Sequence, residues 1–144
     1  MDISIAAAGP ASEFGRNLMG FGINLLATDV ERTADFLAEI LSMRIHRADQ
    51  DFAVLEHDGN FFQLHGEHTY HDNPFPGTLE GVHYRGAGVE LRLYQKDPDA
   101  CEARAKKKGY QVLRTRLDRP HGLRECFLLD PDEYCWVPSA PLAR

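Results

Sequence analysis

The chain has 144 residues, and its 16 basic and 22 acidic side chains give a formal net charge of −6. This balance, with no basic run longer than Lys106-Lys107-Lys108, argues against nucleic acid and anionic membranes as partners. A chain of this length buries roughly two thirds of its unfolded surface as one domain, so its core needs no metal or disulfide. The cysteines Cys101, Cys126 and Cys135 lack a C-x-x-C spacing and indicate reduced thiols.

Residues 1–19 are rich in Ala, Ser and Gly and predict a mobile leader or an arm that covers a partner subunit. They contain neither the long apolar stretch of a signal peptide nor that of a membrane span. We therefore expect a cytoplasmic protein with no membrane contact, whose single folded domain is residues 20–144.

Two similar modules, residues 20–73 and 86–140, make up this domain and are joined by a loop at 74–85. Each predicts the order strand, helix, strand, strand, strand. The helix starts Asp29 and Asp97 are 68 residues apart, and the hairpin residues Asp58 and Asp132 are 74 apart. A duplicated module that brings two sheets together makes a concave surface, and such surfaces bind small molecules. The repeat therefore predicts a small organic ligand.

Both predicted helices have clear starts. Thr28 and Glu31 match a capping box at the start of the first helix. Its apolar side falls on Val30, Ala34, Leu37 and Leu41. The second helix is predicted to begin with Asp97 as N-cap and Pro98 as the first helical residue, and to end before Gly109.

Further strands are predicted at 44–47, 52–56, 61–65, 111–115, 124–129 and 134–137, with hairpin turns at 57–60 and 130–133. Successive side chains of a strand alternate between the two faces of its sheet. One predicted face is nearly all apolar and should pack on the helices: Ile23, Leu25, Ala27, Phe62, Leu64, Val89, Leu91, Leu93, Phe127, Leu129, Tyr134 and Trp136. The other mixes aromatic and polar groups, as a ligand cavity does: Asn24, Leu26, Phe52, Val54, Phe61, Gln63, His65, Glu90, Arg92, Tyr94, Arg124, Cys126, Cys135 and Val137.

This mixed face supplies the candidate ligand contacts Asn24, Phe52, Phe61, Gln63, Arg92, Tyr94 and Arg124. Glu90 is a candidate general base, since a carboxylate desolvated between aromatic walls has a raised pKa, and His65 is a second candidate. Each has a structural alternative: Glu90 could serve only as the partner of Arg92 or Arg124, and His65 could be a solvated histidine at a strand end. The polar run 65–72, which is rich in histidine, predicts a loop over the pocket mouth, with metal binding as the alternative.

The doubled βαβββ order and the closing segment Gly122-Leu123-Arg124-Glu125 through Asp130-Pro131-Asp132 resemble the vicinal oxygen chelate superfamily. This group contains glyoxalases, bleomycin-resistance proteins and ring-cleaving dioxygenases. The resemblance covers about residues 20–140. It implies an α+β fold in which paired βαβββ modules form a half-open, cup-shaped sheet. An isologous homodimer is the default oligomer of such a domain.

In this superfamily four inward-facing positions can hold a divalent metal, and here they fall on Gly22, Gln63, Glu90 and Val137. Glu90 and Gln63 are weak candidate ligands, and the other two offer no donor atom. A catalytic metal site needs about three protein ligands. We therefore expect no cofactor, with a divalent metal as the alternative.

The resemblance implies two classes of function. In the first, the protein binds a small organic ligand in the cup between its modules, as bleomycin-resistance proteins do, without a catalytic metal. In the second, it is a lyase, isomerase or dioxygenase-like enzyme, either metal-dependent or with Glu90 as general base aided by His65. The sequence leaves open whether the protein is an enzyme.

Overall fold

The computed structural model describes residues 2–143, and in them the fold is α+β, with two open, four-stranded mixed sheets. The helices are α1 (Ile3–Ala8), α2 (Ala11–Arg16), α3 (Val30–Glu39) and α4 (Pro98–Lys108). The strands are β1 (Asn24–Ala27), β2 (Arg44–Ala48), β3 (Phe52–His57), β4 (Asn60–Gly66), β5 (Leu91–Tyr94), β6 (Val112–Asp118), β7 (Leu123–Leu129) and β8 (Cys135–Pro141). Short 3-10 turns occupy Glu67–Thr69 and Phe75–Leu79. Within residues 2–143 no helix has the length and apolar character that crossing a membrane requires.

The two sheets repeat one topology. Their strand orders are β1-β4-β3-β2 and β5-β8-β7-β6. In each, the first and last strands pair in parallel, with Asn24 opposite Gln63 and Arg92 opposite Val137, and the other neighbours are antiparallel. Asn24 and Arg92 are 68 residues apart, and Gln63 and Val137 are 74 apart. These are the offsets that the sequence repeat predicts. The predicted α+β fold of paired βαβββ modules is confirmed.

The chain divides into two compact units, and each carries one sheet. The first contains the described residues up to Ala34 together with Met43–Pro76. The second contains Asp35–Ser42 and the described residues from Gly77 onward. The division therefore passes through helix α3 and, in the loop between the modules, between Pro76 and Gly77.

Helix α4 begins and ends as predicted. Asp97 accepts hydrogen bonds from the backbone N–H groups of Asp99 (2.9 Å) and Ala100 (3.4 Å). Gly109 follows the last turn with a φ of 80°, a left-handed conformation that a glycine adopts without steric cost.

Helix α3 begins one residue later than the capping box predicts. Its first helical residue is Val30, and Asp29 Oδ1 accepts from the backbone N–H of Arg32 at 3.1 Å. Asp29 rather than Thr28 is thus the N-cap, and that prediction was wrong by one residue. A carboxylate caps at least as well as a hydroxyl, and its charge also favours the positive end of the helix.

Helices α1 and α2 form an N-terminal arm, Ile3–Arg16, which packs on the first sheet. Ala7 and Phe14 are buried in one cluster with Val54 of β3. The guanidinium of Arg47 donates from Nη1 to the carbonyl oxygen of Gly9 at 3.1 Å. The segment predicted as a mobile leader or a cover for a partner therefore folds onto its own chain. Phe14 supplies an apolar anchor that the Ala- and Ser-rich composition obscures.

The two faces of strand β7 are exchanged relative to the prediction. Leu129 lies opposite Cys135 and clusters with Cys135, Val137 and Phe127. Cys126 lies on the other face, where its Sγ is 3.5 Å from the carbonyl oxygen of Pro98 in helix α4.

The turn between β7 and β8 causes this exchange. The N–H of Asp130 donates to the carbonyl oxygen of Tyr134 at 3.1 Å, which places Leu128 opposite Trp136 and so fixes the register. A shift of one residue moves every side chain of a strand to the other face. Assigning Phe127 and Leu129 to the face of Trp136 was therefore wrong, as was assigning Arg124 and Cys126 to the face of Val137.

Trp136 lies in the core, as predicted, and is 3% exposed. Its indole Nε1 donates to Asp130 Oδ2 at 3.0 Å. Burial raises the pKa of Asp130 to about 6, although the backbone N–H groups of Asp132 and Tyr134 also donate to this carboxylate. The hairpin turn is therefore built around a buried acidic group.

Glu102 joins helix α4 to the edge strand β6. Its side chain is fully buried, and it accepts from the backbone N–H of Arg116 at 2.8 Å and from that residue's Nη1 at 2.5 Å. Burial opposes its ionisation, but hydrogen bonds from Thr115, Arg116 and Lys106 hold the pKa of Glu102 at about 2. The ionised carboxylate is thus the stabilising form.

Replacing Glu102 by Gln should lower the free energy of unfolding by about 2–3 kcal/mol near pH 7. The depressed pKa means that this contribution is present above the unfolded value of 4.5 and is lost as pH falls towards 2. Urea unfolding of the two proteins at a series of pH values should therefore converge in acid. Glu39→Gln, which removes an exposed carboxylate from α3, is the control and should change stability little. A difference that stays constant down to pH 2 would contradict the assignment.

Candidate functional site

The predicted ligand residues of the first module share one face of their sheet. Across the strands, Asn24, Gln63 and Val54 form one line, and Leu26, His65 and Phe52 form the next. Phe61 lies on the same face, opposite Glu56. This is the face on which the N-terminal arm packs.

Aromatic and cationic groups on this face form what we call the imidazole row: Arg47, Phe52, His65 and Tyr70. The guanidinium carbon of Arg47 lies 5.2 Å from the ring centroid of Phe52. The Phe52 and His65 rings are 5.1 Å apart, and the His65 and Tyr70 rings are 5.5 Å apart. Both ring pairs are tilted, with interplanar angles of 45° and 54°. Tyr70 follows a short 3-10 turn, and strand periodicity could not assign it.

His65 is the titratable centre of the row. Its Nε2 lies 3.3 Å from Oε1 of Gln63, and its side chain is half-buried. Burial lowers the pKa of His65 below its usual value of 6.5, so the imidazole is neutral at pH 7. A neutral imidazole can accept a proton or a hydrogen bond from a ligand.

Phe61, like Phe52, packs against the buried cluster that the arm forms with Val54. Its ring centroid lies 6.4 Å from that of Phe14 in α2 and 5.0 Å from the ring of His46. His46 in turn pairs through Nε2 with Glu56 Oε1 at 2.7 Å. The structure therefore places Phe61 in the packing between arm and sheet.

The histidine-rich loop has protein partners. His68 Nε2 lies 2.6 Å from Asp51 Oδ1, and His71 Nδ1 lies 2.8 Å from the carbonyl oxygen of His68. Among residues 2–143, no three His, Cys, Asp or Glu side chains are grouped so as to hold a metal ion.

The four family metal positions do not fit a metal. Gly22 and Val137 carry no donor atom. Gln63 is engaged with His65, and Glu90 is 47% exposed, with its Oε1 3.4 Å from Arg92 Nη1. Two weak oxygen donors fall short of the roughly three ligands that a catalytic site uses.

The second sheet carries a charged cluster around Arg92. We call Arg92, Glu90, Glu125, Arg119 and His121 the Arg92 cluster. Arg92 Nη2 bonds to Glu125 Oε2, and this carboxylate is only 6% exposed. Arg119 Nε lies 3.6 Å from Glu125 Oε1, and His121 Nε2 lies 3.7 Å from Oε2. Burial opposes the charge of Arg92, but the pairing with Glu125 raises its pKa above the usual value.

The predicted residues of the second module are only partly brought together. Tyr94 is exposed, and the guanidinium carbon of Arg92 lies 5.6 Å from its ring centroid. Glu90 is half-exposed and does not lie desolvated between aromatic walls, where the sequence predicted it. Arg124 lies on the other face, where it bonds to Asp99 Oδ1 at 2.8 Å and Asp118 Oδ1 at 2.7 Å.

A sequence model of the Glyoxalase/Bleomycin resistance protein/Dioxygenase superfamily matches residues 22–137. The chain belongs to this superfamily. The match spans both modules, with the imidazole row and the Arg92 cluster inside it. A search of the curated proteins found no match.

Several solved structures share the fold. TioX from Micromonospora sp. ML1 is 18% identical with a TM-score of 0.61, covering 88% of this chain and 98% of that one. A glyoxalase/bleomycin resistance protein/dioxygenase family enzyme from Burkholderia phytofirmans PsJN is 13% identical with a TM-score of 0.65, covering 83% and 96%. A superfamily protein from Nocardioides is 18% identical with a TM-score of 0.63, covering 89% of each chain. At these identities the likeness shows the fold alone.

Removing either acidic partner of Arg92 should have unequal effects. Glu125→Ala should cost about 3 kcal/mol of unfolding free energy, because it leaves the guanidinium without its buried partner. Glu90→Ala should cost less than about 1 kcal/mol, because an exposed pair contributes little. Chemical denaturation measures both. Replacing Arg92 by Met in the Glu125→Ala protein should restore part of the loss, and a loss that stays unchanged would show that Glu125 acts through other contacts.

Proposed function

We propose that this protein binds a small, planar organic ligand on the imidazole row of its first module and does so without a catalytic metal. The observation that carries the proposal is the continuous row of contacts from Arg47 through Phe52 and His65 to Tyr70. The guanidinium lies over the first ring, and neighbouring rings are tilted with their centroids 5.1 and 5.5 Å apart. Half-buried rings next to a few polar groups are the usual composition of a small-molecule site.

Polar groups beside the rings support selectivity for the ligand. Gln63 and Asn24 lie opposite each other on the same face as His65, and amide side chains both donate and accept hydrogen bonds. The neutral imidazole adds an acceptor or donor according to its tautomer. A planar ligand with one or two hydrogen-bonding substituents matches this set.

The metal-free form of the proposal rests on the donor atoms. Gly22 and Val137 cannot ligate, and Glu90 is engaged with Arg92. Membership of the superfamily gives the fold, and the donor atoms at the four family metal positions supply the argument about metal use in this chain.

A thermal-shift panel of planar aromatic and heteroaromatic compounds should yield binders, whose contacts are then mapped by chemical shifts of the His65 imidazole. Phe52→Leu should weaken binding about tenfold, since one stacked ring contributes roughly 1 kcal/mol or more.

The matched control is Phe62→Leu, because Phe62 lies on the opposite face of strand β4. It makes the same chemical change and should leave the affinity unaltered. Equal weakening by both substitutions, or binding that leaves the His65 signals unmoved, would refute the site.

A second candidate function is a lyase or isomerase reaction in which His65 is the general base. The lowered pKa of His65 favours it, because the imidazole is already deprotonated at neutral pH and lies next to the stacking surface. Glu90, the base first predicted, is half-exposed and gives weaker support.

The enzymatic candidate predicts that a bound compound is converted, which mass spectrometry can follow. His65→Asn should lower the rate by at least about a hundredfold while the dissociation constant changes little. The rate should rise with pH through the lowered pKa of His65 and be level near pH 7. Undiminished turnover in His65→Asn, or no turnover of any binder, would leave the binding function alone.

A further inference from the structure

We propose that the Arg92 cluster is a binding site for an oxyanion, the carboxylate or phosphate group of a small molecule. The inference goes beyond the proposed stacking site and is independent of it, because it rests on residues of the second module only. A failure of one proposal is therefore distinguishable from a failure of the other.

Charge is the first argument. Two guanidinium groups, those of Arg92 and Arg119, face one buried carboxylate, Glu125. His121 adds a third group that can carry positive charge. The other acid, Glu90, is 47% exposed and approaches Arg92 no closer than 3.4 Å, so a competing anion can displace it at small cost.

Unsatisfied donors are the second argument. Arg119 Nε is buried without a hydrogen-bond partner, and so is the hydroxyl of Ser139, a residue with 0% exposure. Ser139 lies opposite Tyr94 on one side and Glu125 on the other, and therefore on their face of the sheet. A buried donor without a partner destabilises the protein, and an acceptor supplied by a ligand would recover that loss.

Other ion-pair clusters of this unit show what a structural cluster looks like. Arg124 is shared by two carboxylates, Asp99 and Asp118. The buried carboxylate of Glu102 has hydrogen-bond donors on both oxygens. The number of cations does not separate the clusters, since Glu102 also faces two of them. What distinguishes the Arg92 cluster is that Arg119 Nε and the Ser139 hydroxyl are buried donors without a hydrogen-bond partner.

The chemistry of the donors selects an oxyanion. A guanidinium presents parallel N–H groups that match the two oxygens of a carboxylate or phosphate, and hydrogen bonds between charged groups are stronger than neutral ones. A metal cation would meet the repulsion of both arginines. The site therefore takes a ligand through its negatively charged end.

The experiment titrates the full chain with sodium phosphate and with sodium acetate at constant ionic strength, with sodium chloride as the reference salt. Calorimetry should give saturable binding of at least one oxyanion, and the melting temperature should rise with it. Arg119→Gln should weaken binding about tenfold and Ser139→Ala about threefold, while Lys107→Gln, the same charge change in the last turn of α4, should have no effect.

Ser139→Ala keeps the test decisive if an arginine variant fails to fold, because it removes a hydroxyl that has no partner in the ligand-free protein. Its melting temperature without anion should be unchanged or higher, and its response to the anion smaller. Stronger binding of phosphate than of acetate assigns a phosphate ligand, and the reverse assigns a carboxylate. Chloride acting as well as both, or Ser139→Ala and Arg119→Gln binding like the wild type, would overturn the proposal.

Discussion

Parallel pairing of the first and last strand fixes the arrangement of each module. Two parallel neighbours cannot be joined by a tight turn, so the chain must cross over between them, here through one helix and two further strands. The pairing aligns Leu26 with His65 and Tyr94 with Ser139. Both candidate sites depend on these alignments, because they decide which side chains share a face with the aromatic and charged groups of the neighbouring strands.

The repeat could be predicted from sequence because its signals are local. The helix starts at Asp29 and Asp97 and the glycine after α4 depend on residues a few positions apart. The same holds for the alternation in β1 and β4, which have no irregularity in their pairing. Where pattern and geometry extend over one element only, the sequence and the structure agree to within one residue.

The rest depends on contacts between distant residues. The register of β7 follows from the turn at Asp130. A shift of one residue there puts Arg124, instead of Glu125, on the face that carries Arg92, and this is the assignment that the sequence predicted. Arg119 and Ser139 approach Glu125 from different segments, so no spacing in the sequence joins them. Tyr70 reaches His65 from a turn that has no strand periodicity.

The two modules share a topology but use their faces differently. In the first, the N-terminal arm covers part of the mixed face, and Arg47 belongs to both features, since it bonds to Gly9 of the arm and lies over Phe52. Docking of the arm and the ligand binding that we propose on the ring surface share Arg47, and they are therefore coupled. Such coupling is reciprocal. The free energy by which a molecule bound at Phe52 stabilises or destabilises arm docking equals the free energy by which the docked arm strengthens or weakens binding of that molecule. The fourteen-residue arm, which lies outside the repeat, therefore influences the affinity of the ligand surface proposed within it.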